Sequence, residues 1–243
     1  MAIDSLKQEN QLTEKLFKAG MHFAYSKSRR HPSVAPFIFG TKNRVEVFNL
    51  AATSEFLSRA KAFIENLGKN RKTILFVGGK QEGKQAVKHF AEKINMPNVS
   101  GRYIGGTLTN FTQIRKRVDK LEKLLDEKEK GELGRYTKME RLLIDRDIER
   151  LEKDFGGIRR LKDLPAAVVL IDPKKEVNAV KEAKILNIPI VALLNSDCNL
   201  GEVDFPVPGN DSLKSSITAF LAEIAEAYEE GLKMESIEAV KIV

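Results

Sequence analysis

The chain has 243 residues, 42% of them hydrophobic, which is enough to fill a sizeable core. Its 41 Lys and Arg exceed its 34 Asp and Glu and give a formal net charge of +7, which favours a polyanionic partner. A single cysteine, Cys198, excludes an internal disulfide framework. The first residues, MAIDSLKQEN, lack an apolar core and no apolar run approaches 18 residues, so we expect neither a signal peptide nor a membrane span. We therefore expect a soluble cytoplasmic protein.

Short apolar segments rich in β-branched residues alternate with amphipathic segments, a pattern typical of a parallel sheet covered by helices. Strands are predicted at residues 45–50, 73–77, 166–171, 188–194 and 203–207. Helices are predicted at residues 53–67, 80–94, 174–186 and 211–231. The segments AAVVLI and IPIVALL are apolar throughout, which indicates strands buried on both faces. The predicted fold class is α/β, a three-layer α/β/α domain with a parallel sheet.

A long charged stretch, residues 108–155, interrupts this alternation. Apolar residues recur there at spacings of three and four on both sides of the polar break EKGELG, which predicts an antiparallel helical hairpin with a hydrophobic seam. The seam residues are Phe111, Ile114, Val118, Leu121, Leu125, Ile144, Ile148, Leu151 and Phe155. Paired glycines at 105–106 and 156–157 bracket the stretch. We predict a discontinuous globular domain (1–107 and 156–232), an inserted hairpin (108–155) and a C-terminal tail (233–243).

Basic residues concentrate in two places. The window from His22 to Arg44 contains no acid, and it interleaves aromatic residues with Lys27, Arg29, Arg30, Lys42 and Arg44. The segment GRYIGGTLTNF at 101–111 combines Arg102 and Asn110 with two aromatic residues, and the cluster Arg115, Lys116 and Arg117 follows at the base of the predicted hairpin. Such clusters are suited to phosphate contacts, whereas the mixed charges along the rest of the hairpin indicate a solvated face.

The sharpest alternative is a nucleotide hydrolase. After the strand at 73–77, Gly78, Gly83, Lys84 and Gln85 almost match the phosphate-binding pattern GxxxxGK[ST], and Asp172 could imitate the acidic magnesium partner. Gln85, however, lacks the hydroxyl that ligates magnesium, so a structural strand-to-helix turn is favoured. Lys80, Lys84 and Lys88 follow at helical spacing, either as a solvated face or as a minor contact to an RNA backbone.

The sequence gives little support for any other catalytic site or for a metal site. The three histidines are scattered and lack a nearby carboxylate or nucleophile. Acidic and amide residues do gather in the loops of the C-terminal half, where oxygen ligands could hold a divalent cation. These residues are Asp197, Asp204, Asp211, Asn195, Asn199 and Asn210. Turn and cap roles are favoured for them, so no metal and no cofactor are predicted.

Five ordered segments resemble one known family. They are LFKAGMHFAYSKSRRHPSVAPFIFG (16–40), TILFVGGKQEGKQAV (73–87), GRYIGGTLTNFTQIRK (101–116), LEKDFGGIRRLKDLPAAVVLID (151–172), and the stretch from IPIVALLNSD to VDFPVPGND (188–211). Together they are similar to the second protein of the bacterial small ribosomal subunit. The family usually has tryptophan where this chain has Tyr103 and Phe111, so a flat aromatic side chain is retained for stacking or packing.

The resemblance implies a flavodoxin-like domain with a helical-hairpin insertion, part of the small ribosomal subunit and without catalytic activity. It implies binding to small-subunit (16S-type) ribosomal RNA and contacts with neighbouring small-subunit proteins, among them the large, mRNA-binding first protein. We expect the RNA contacts at Lys27, Arg29, Arg30, Lys42, Arg44, Arg102, Asn110, Arg115, Lys116 and Arg117. The alternatives are the P-loop-like hydrolase and a free RNA-binding adaptor that reaches a protein partner through the hairpin.

Overall fold

A computed structural model of the chain describes residues 11–241, with side chains for residues 11–234. The strands are β1 (Ile38–Lys42), β2 (Val45–Phe48), β3 (Ile74–Val77), β4 (Asn98–Val99), β5 (Ala167–Ile171), β6 (Ile190–Leu194) and β7 (Phe205–Pro208). The longer helices are α1 (described over 11–18), α2 (Leu50–Lys69), α3 (Gln81–Lys93), α4 (Phe111–Glu129), α5 (Lys138–Phe155), α6 (Val177–Ile185) and α7 (Lys214–Lys241). None of the described helices is both long enough and apolar enough to cross a membrane.

Five parallel strands form one sheet in the order β4-β3-β5-β6-β7. Every residue of β3, β5 and β6 is buried, and successive side chains point to opposite faces. Phe76 and Val169 face a core formed with α1, α2, α3 and α7, whereas Val77 and Leu170 face a second core formed with α6 and the base of α4 and α5. The predicted α/β/α flavodoxin-like fold class is confirmed.

The predicted strand at 45–50 belongs to a different sheet. Its observed part, β2, pairs antiparallel with β1 in a separate two-stranded sheet. The expectation that it joins the parallel sheet was wrong, because a short apolar segment with β-branched residues indicates a strand but not its partner. Strand β4 was missed, since two residues are too few to show a period. Helix α7 extends ten residues past its predicted end at 231, so the backbone of the predicted tail is helical as far as Lys241, and residues 242–243 lie outside the described part.

Helices α4 and α5 occupy the predicted hairpin. The seam residues Val118, Leu121, Ile148 and Leu151 are buried, and they belong to the same core cluster as the sheet residues on that face. Helix α5 begins with a capping box, in which the side chains of Thr137 and Glu140 satisfy the first backbone N–H groups. The base of the hairpin therefore continues the core of the sheet.

The two glycine pairs mark where the chain enters and leaves α4 and α5. Gly106 has a φ of +89°, a conformation that side-chain-bearing residues rarely adopt. Gly157 packs so closely on β4 that a Cβ there would overlap the backbone carbonyl oxygen of Asn98. The first pair supplies a left-handed turn and the second a close backbone contact.

An alanine methyl group at position 157 should push the end of the hairpin away from β4. We expect Gly157→Ala to lower the free energy of unfolding by about 1–3 kcal/mol, measured by urea denaturation, because backbone must move to admit the methyl group. Gly134→Ala is the matched control, since nothing lies within 4 Å of a Cβ at that position. Equal losses in the two variants would contradict the close packing.

Candidate nucleic-acid interface

The first predicted basic surface forms where residues 22–25 run antiparallel to β2. The backbone N–H of Glu46 donates to the carbonyl oxygen of Tyr25 at 3.2 Å. The 3-10 turn Lys27–Arg29 follows this pairing on one segment, and the β1–β2 turn that carries Lys42 and Arg44 precedes it on the other. The two halves of the basic window, separated by a dozen residues in sequence, are thereby brought to one side of the molecule.

Four of the five predicted cations on this surface are available to a ligand. Lys27, Arg29, Lys42 and Arg44 are exposed, and none of them has an ion pair with a carboxylate in the part of the chain that the structure describes. Phe39, in the neighbouring strand β1, is 81% exposed. An exposed aromatic ring in the strand that leads to Lys42 and Arg44 suits single-stranded or looped RNA, whose bases stack and whose phosphates are anionic.

Arg30, the fifth predicted cation, has an ion-pair partner within the fold. Its Nη1 atom lies 2.9 Å from Oε1 of Glu46, a carboxylate that is only 1% exposed and whose second oxygen has no hydrogen-bond partner. Removing the guanidinium would leave a buried charge unpaired, which is costly. Arg30 thus stabilises the fold beside the basic surface.

The joint at 101–111 is organised by a residue that the sequence analysis did not select, Glu182 of α6. This carboxylate is 8% exposed and accepts hydrogen bonds from the backbone N–H groups of Gly106 (2.6 Å), Leu108 (3.0 Å) and Thr109 (3.1 Å). The Tyr103 hydroxyl and the Thr109 hydroxyl also donate to it, each at 3.2 Å. Burial raises the pKa of Glu182, but the N–H donors outweigh burial and leave the pKa below its usual value.

This arrangement decides between stacking and packing for the two aromatic residues of the joint. Tyr103 is 5% exposed, so its ring packs in the core, and burial followed by the charge of Glu182 raises the pKa of its phenol. Phe111 is half-buried against the same core. The segment therefore acts mainly as a structural joint that fixes where α4 leaves the sheet.

The predicted cations at the hairpin base also differ in whether the fold leaves them without a partner. Arg102, Asn110, Lys116 and Arg117 are exposed, and the three cations among them have no ion pair with any described carboxylate. Arg115 is engaged within the fold: its Nη1 donates to the carbonyl oxygen of Arg159 at 3.0 Å, and its Nε lies 3.0 Å from Asp119. The hairpin base thus retains two adjacent free cations instead of three.

The turn after β3 does not form a phosphate-binding loop. Only Gly78, Gly79 and Lys80 separate β3 from α3, so Gly83 and Lys84 already lie in the first helical turn. A P-loop needs the intervening residues to wrap around phosphates with open N–H groups. The geometry of residues 78–85 supports the structural interpretation of this motif.

Asp172, the candidate acidic magnesium partner of the nucleotide-hydrolase alternative, forms an ion pair within the fold. The Nζ atom of Lys80 lies 2.7 Å from a carboxylate oxygen of Asp172 and 2.7 Å from one of Asp211. Burial alone would lower the pKa of Lys80, but the charge of Asp211 and the two hydrogen bonds raise it. Lys80, Lys84 and Lys88 were expected to form an exposed row on one helix face. That prediction was wrong for Lys80, which is the N-cap of α3 and points inward to the two carboxylates.

The acidic and amide residues of the C-terminal loops have hydrogen-bond or ion-pair partners within the fold, and Asn199 among them is a helix cap. Asp204 accepts the backbone N–H of Ile190, and Asn199 accepts that of Gly201. Asp197 pairs with Lys174 at 2.9 Å. Among the described residues, no group of three or more His, Cys, Asp or Glu side chains could hold a metal ion.

Comparison with known families decides what kind of α/β/α protein this is. The family model described as ribosomal protein S2 matches residues 16–231, which is nearly the whole of the described chain. The chain belongs to the ribosomal protein S2 family.

Curated relatives agree with this assignment. A small ribosomal subunit protein uS2 from a Nitratiruptor species is 41% identical over 224 residues, covering 92% of this chain and 84% of the relative. The protein of that name from Acidothermus cellulolyticus is 40% identical, covering 96% of this chain and 82% of the relative. The one from Helicobacter acinonychis is 39% identical, covering 93% and 92%, respectively.

For this S2-family chain, Glu182 gives the sharpest test of the joint. Glu182→Gln should lower the free energy of unfolding by about 1–3 kcal/mol at neutral pH, because the amide cannot accept all the N–H groups that the carboxylate accepts. The folded-state pKa is depressed, so the stabilisation is complete above the ordinary carboxyl pKa of about 4.3 and is lost as the pH falls through the folded value. The difference between wild type and variant should therefore narrow below about pH 4.

Urea denaturation followed by circular dichroism, repeated at several pH values, measures this difference. Glu202→Gln, at an exposed glutamate, is the control and should have little effect at any pH. A loss in Glu182→Gln that does not change with pH would contradict the role of the ionised carboxylate.

Proposed function

We propose that the protein is a structural constituent of the small ribosomal subunit that binds 16S-type ribosomal RNA and supports translation in the cytoplasm. The observation that carries the proposal is the family match over residues 16–231. The exposed, unpaired cations of the two basic surfaces are consistent with it, because phosphate contacts position a protein on folded RNA. Neighbouring small-subunit proteins, including the mRNA-binding first protein, are proposed as further partners.

Within this proposal, the RNA-contacting residues are those whose charge the fold leaves unpaired. They are Lys27, Arg29, Lys42, Arg44, Arg102, Lys116 and Arg117, with Asn110 as a neutral polar contact. Arg30 and Arg115 are proposed to support these surfaces from behind, through Glu46 and through the Arg159 carbonyl group. We also propose the division into a discontinuous globular domain, a hairpin and a tail.

A P-loop-like hydrolase receives no support from the turn after β3, and no enzymatic activity is proposed. A free RNA-binding adaptor differs from a ribosomal constituent in one respect, its stoichiometry on the particle. Both functions require that salt weaken the association, since each phosphate contact releases condensed counterions.

The proposed RNA contact at the β1–β2 turn is tested by charge reversal. The double variant Lys42→Glu/Arg44→Glu should rebind more weakly to host small subunits that have been stripped of this protein by salt. The slope of log affinity against log salt concentration should become shallower by about 0.7–0.9 per lost contact.

The control for this experiment is Lys72→Glu/Lys184→Glu, which reverses two exposed lysines at the amino edge of the parallel sheet. The control should keep the wild-type slope. If the turn variant also kept that slope, the assignment of Lys42 and Arg44 to RNA contact would be refuted.

A further inference from the structure

A third cationic surface lies at the carboxyl ends of β4, β3 and β5. A crevice of about 390 Å³ opens there between the first turn of α3, the segment after β4 and the last turn of α5. Its lining includes Lys84, Arg102, Lys153 and Lys175, with Glu176 as its one carboxylate. The helix after β3 covers one face of the sheet and the helix after β5 covers the other, so the crevice occupies the switch point where open α/β sheets bind ligands.

The crevice continues along the base of the hairpin. A second depression shares Lys84, Arg102 and Lys153 with it and extends to Gly157 and Arg159. A third shares Gly157 and Arg159 and ends at Arg160 and Lys162. We call this continuous depression the trough. It is an elongated surface rather than a closed pocket, which favours a chain-like ligand over a compact one.

Most cations along the trough have no ion pair among the described residues; the exceptions are Lys88 and Arg159, which lie 3.9 Å from Glu92 and Glu122, respectively. Lys84, Arg102 and Lys153 are exposed, and none of them has an ion pair with a described carboxylate. Two of the carboxylates in the trough do have partners: Glu92 lies 3.9 Å from Lys88, and Glu122 lies 3.3 Å from Arg115. Glu152 and Asp154 also line the trough and have no ion pair among the described residues. The unpaired cations Lys84, Arg102, Lys153, Arg160 and Lys162 outnumber these carboxylates, so the unpaired charge along the trough is positive on balance.

The floor of the crevice excludes the usual ligand of a switch point. The backbone N–H of Gly79, which follows β3 and would face a nucleotide phosphate, already donates to Oε1 of Glu176 at 3.0 Å. The Nζ atom of Lys175 is held at 3.3 Å from the carbonyl oxygen of Gly79. An inserted phosphate would meet the Glu176 carboxylate, so anionic groups are accepted on the rim and not on the floor.

We propose that the trough binds the phosphodiester backbone of an RNA strand, with Lys84, Arg102 and Lys153 contacting successive phosphates. This inference rests on the proposed function and adds to it a surface centred on two lysines, Lys84 and Lys153, that lie outside both basic clusters of the sequence. The ligand class is a single RNA strand crossing the carboxyl edge of the sheet, because a mononucleotide would have to reach the occupied floor.

The test is to rebind the full chain to stripped host small subunits across a salt series. Lys84→Glu/Lys153→Glu should bind about tenfold more weakly at moderate salt, and its slope of log affinity against log salt concentration should become shallower by about 0.7–0.9 per lost phosphate contact. The amino-edge control Lys72→Glu/Lys184→Glu should behave as wild type. Both substituted pairs are exposed, and circular dichroism of each variant verifies its folding.

Acetylation of lysines, followed by mass spectrometry, gives a second measurement. Lys84 and Lys153 should react several-fold more slowly in intact particles than in the free chain, and ribonuclease treatment of the particles should restore their reactivity. Protection that survives ribonuclease would overturn the proposal in favour of a protein neighbour. Saturable binding of ATP that is abolished by Lys84→Glu/Lys153→Glu would overturn it in favour of a nucleotide site.

These outcomes distinguish a failure of the trough proposal from a failure of the proposed function. A wild-type chain that rebinds with a strong salt dependence, together with a Lys84→Glu/Lys153→Glu variant of equal slope, overturns the trough alone. A wild-type chain that does not rebind at all overturns both.

Discussion

The position of the hairpin relative to the sheet depends on the hydrogen bonds that the Glu182 carboxylate accepts. One buried side chain on α6 gathers three backbone N–H groups and two hydroxyls of the segment between β4 and α4. It thereby fixes the direction in which α4 leaves the sheet, and with it the position of the hairpin base. The segment also has short-range bonds of its own, from the Thr107 N–H to the Ile104 carbonyl oxygen and from the Asn110 N–H to the Gly106 carbonyl oxygen, while Glu182 joins it to α6.

The fold uses some of its cations internally and leaves others to solvent. Arg30, Lys80 and Arg115 each neutralise carboxylates or satisfy carbonyl groups within the structure. The remaining cations of the basic clusters are exposed and lack carboxylate partners among the described residues. A net charge of +7 is therefore less informative than the distinction between paired and unpaired cations, since only an unpaired cation can exchange its counterion for an RNA phosphate.

Sequence patterns predicted the main features of the fold because those features are local. Strands buried on both faces appear as uninterrupted apolar runs, and the hairpin seam appears as a spacing of three and four residues. The pairing of β2 with β1 and the two-residue strand β4 could not be read from periodicity, because the first depends on a partner and the second is too short to show a repeat.

The candidate site was less predictable than the fold, because many of its residues contact partners that are far away in the sequence. Which cations are exposed followed largely from composition, but Arg115 and Leu108 find their partners 44 and 74 residues away, respectively. A buried acceptor such as Glu182 has no signature in one sequence, since any glutamate on an amphipathic helix has the same local pattern. The trough was only hinted at by the spacing of Lys84 and Lys88, because its other members come from three separate segments.

The most direct measurement is sedimentation of a tagged chain from its host through sucrose gradients at low and at raised salt, with the copies per particle counted by quantitative mass spectrometry. A structural constituent of the small subunit should co-migrate with small subunits at close to one copy per particle and should be released as salt increases. A chain confined to the top fractions at low salt, or present at far below one copy per particle, would contradict the account.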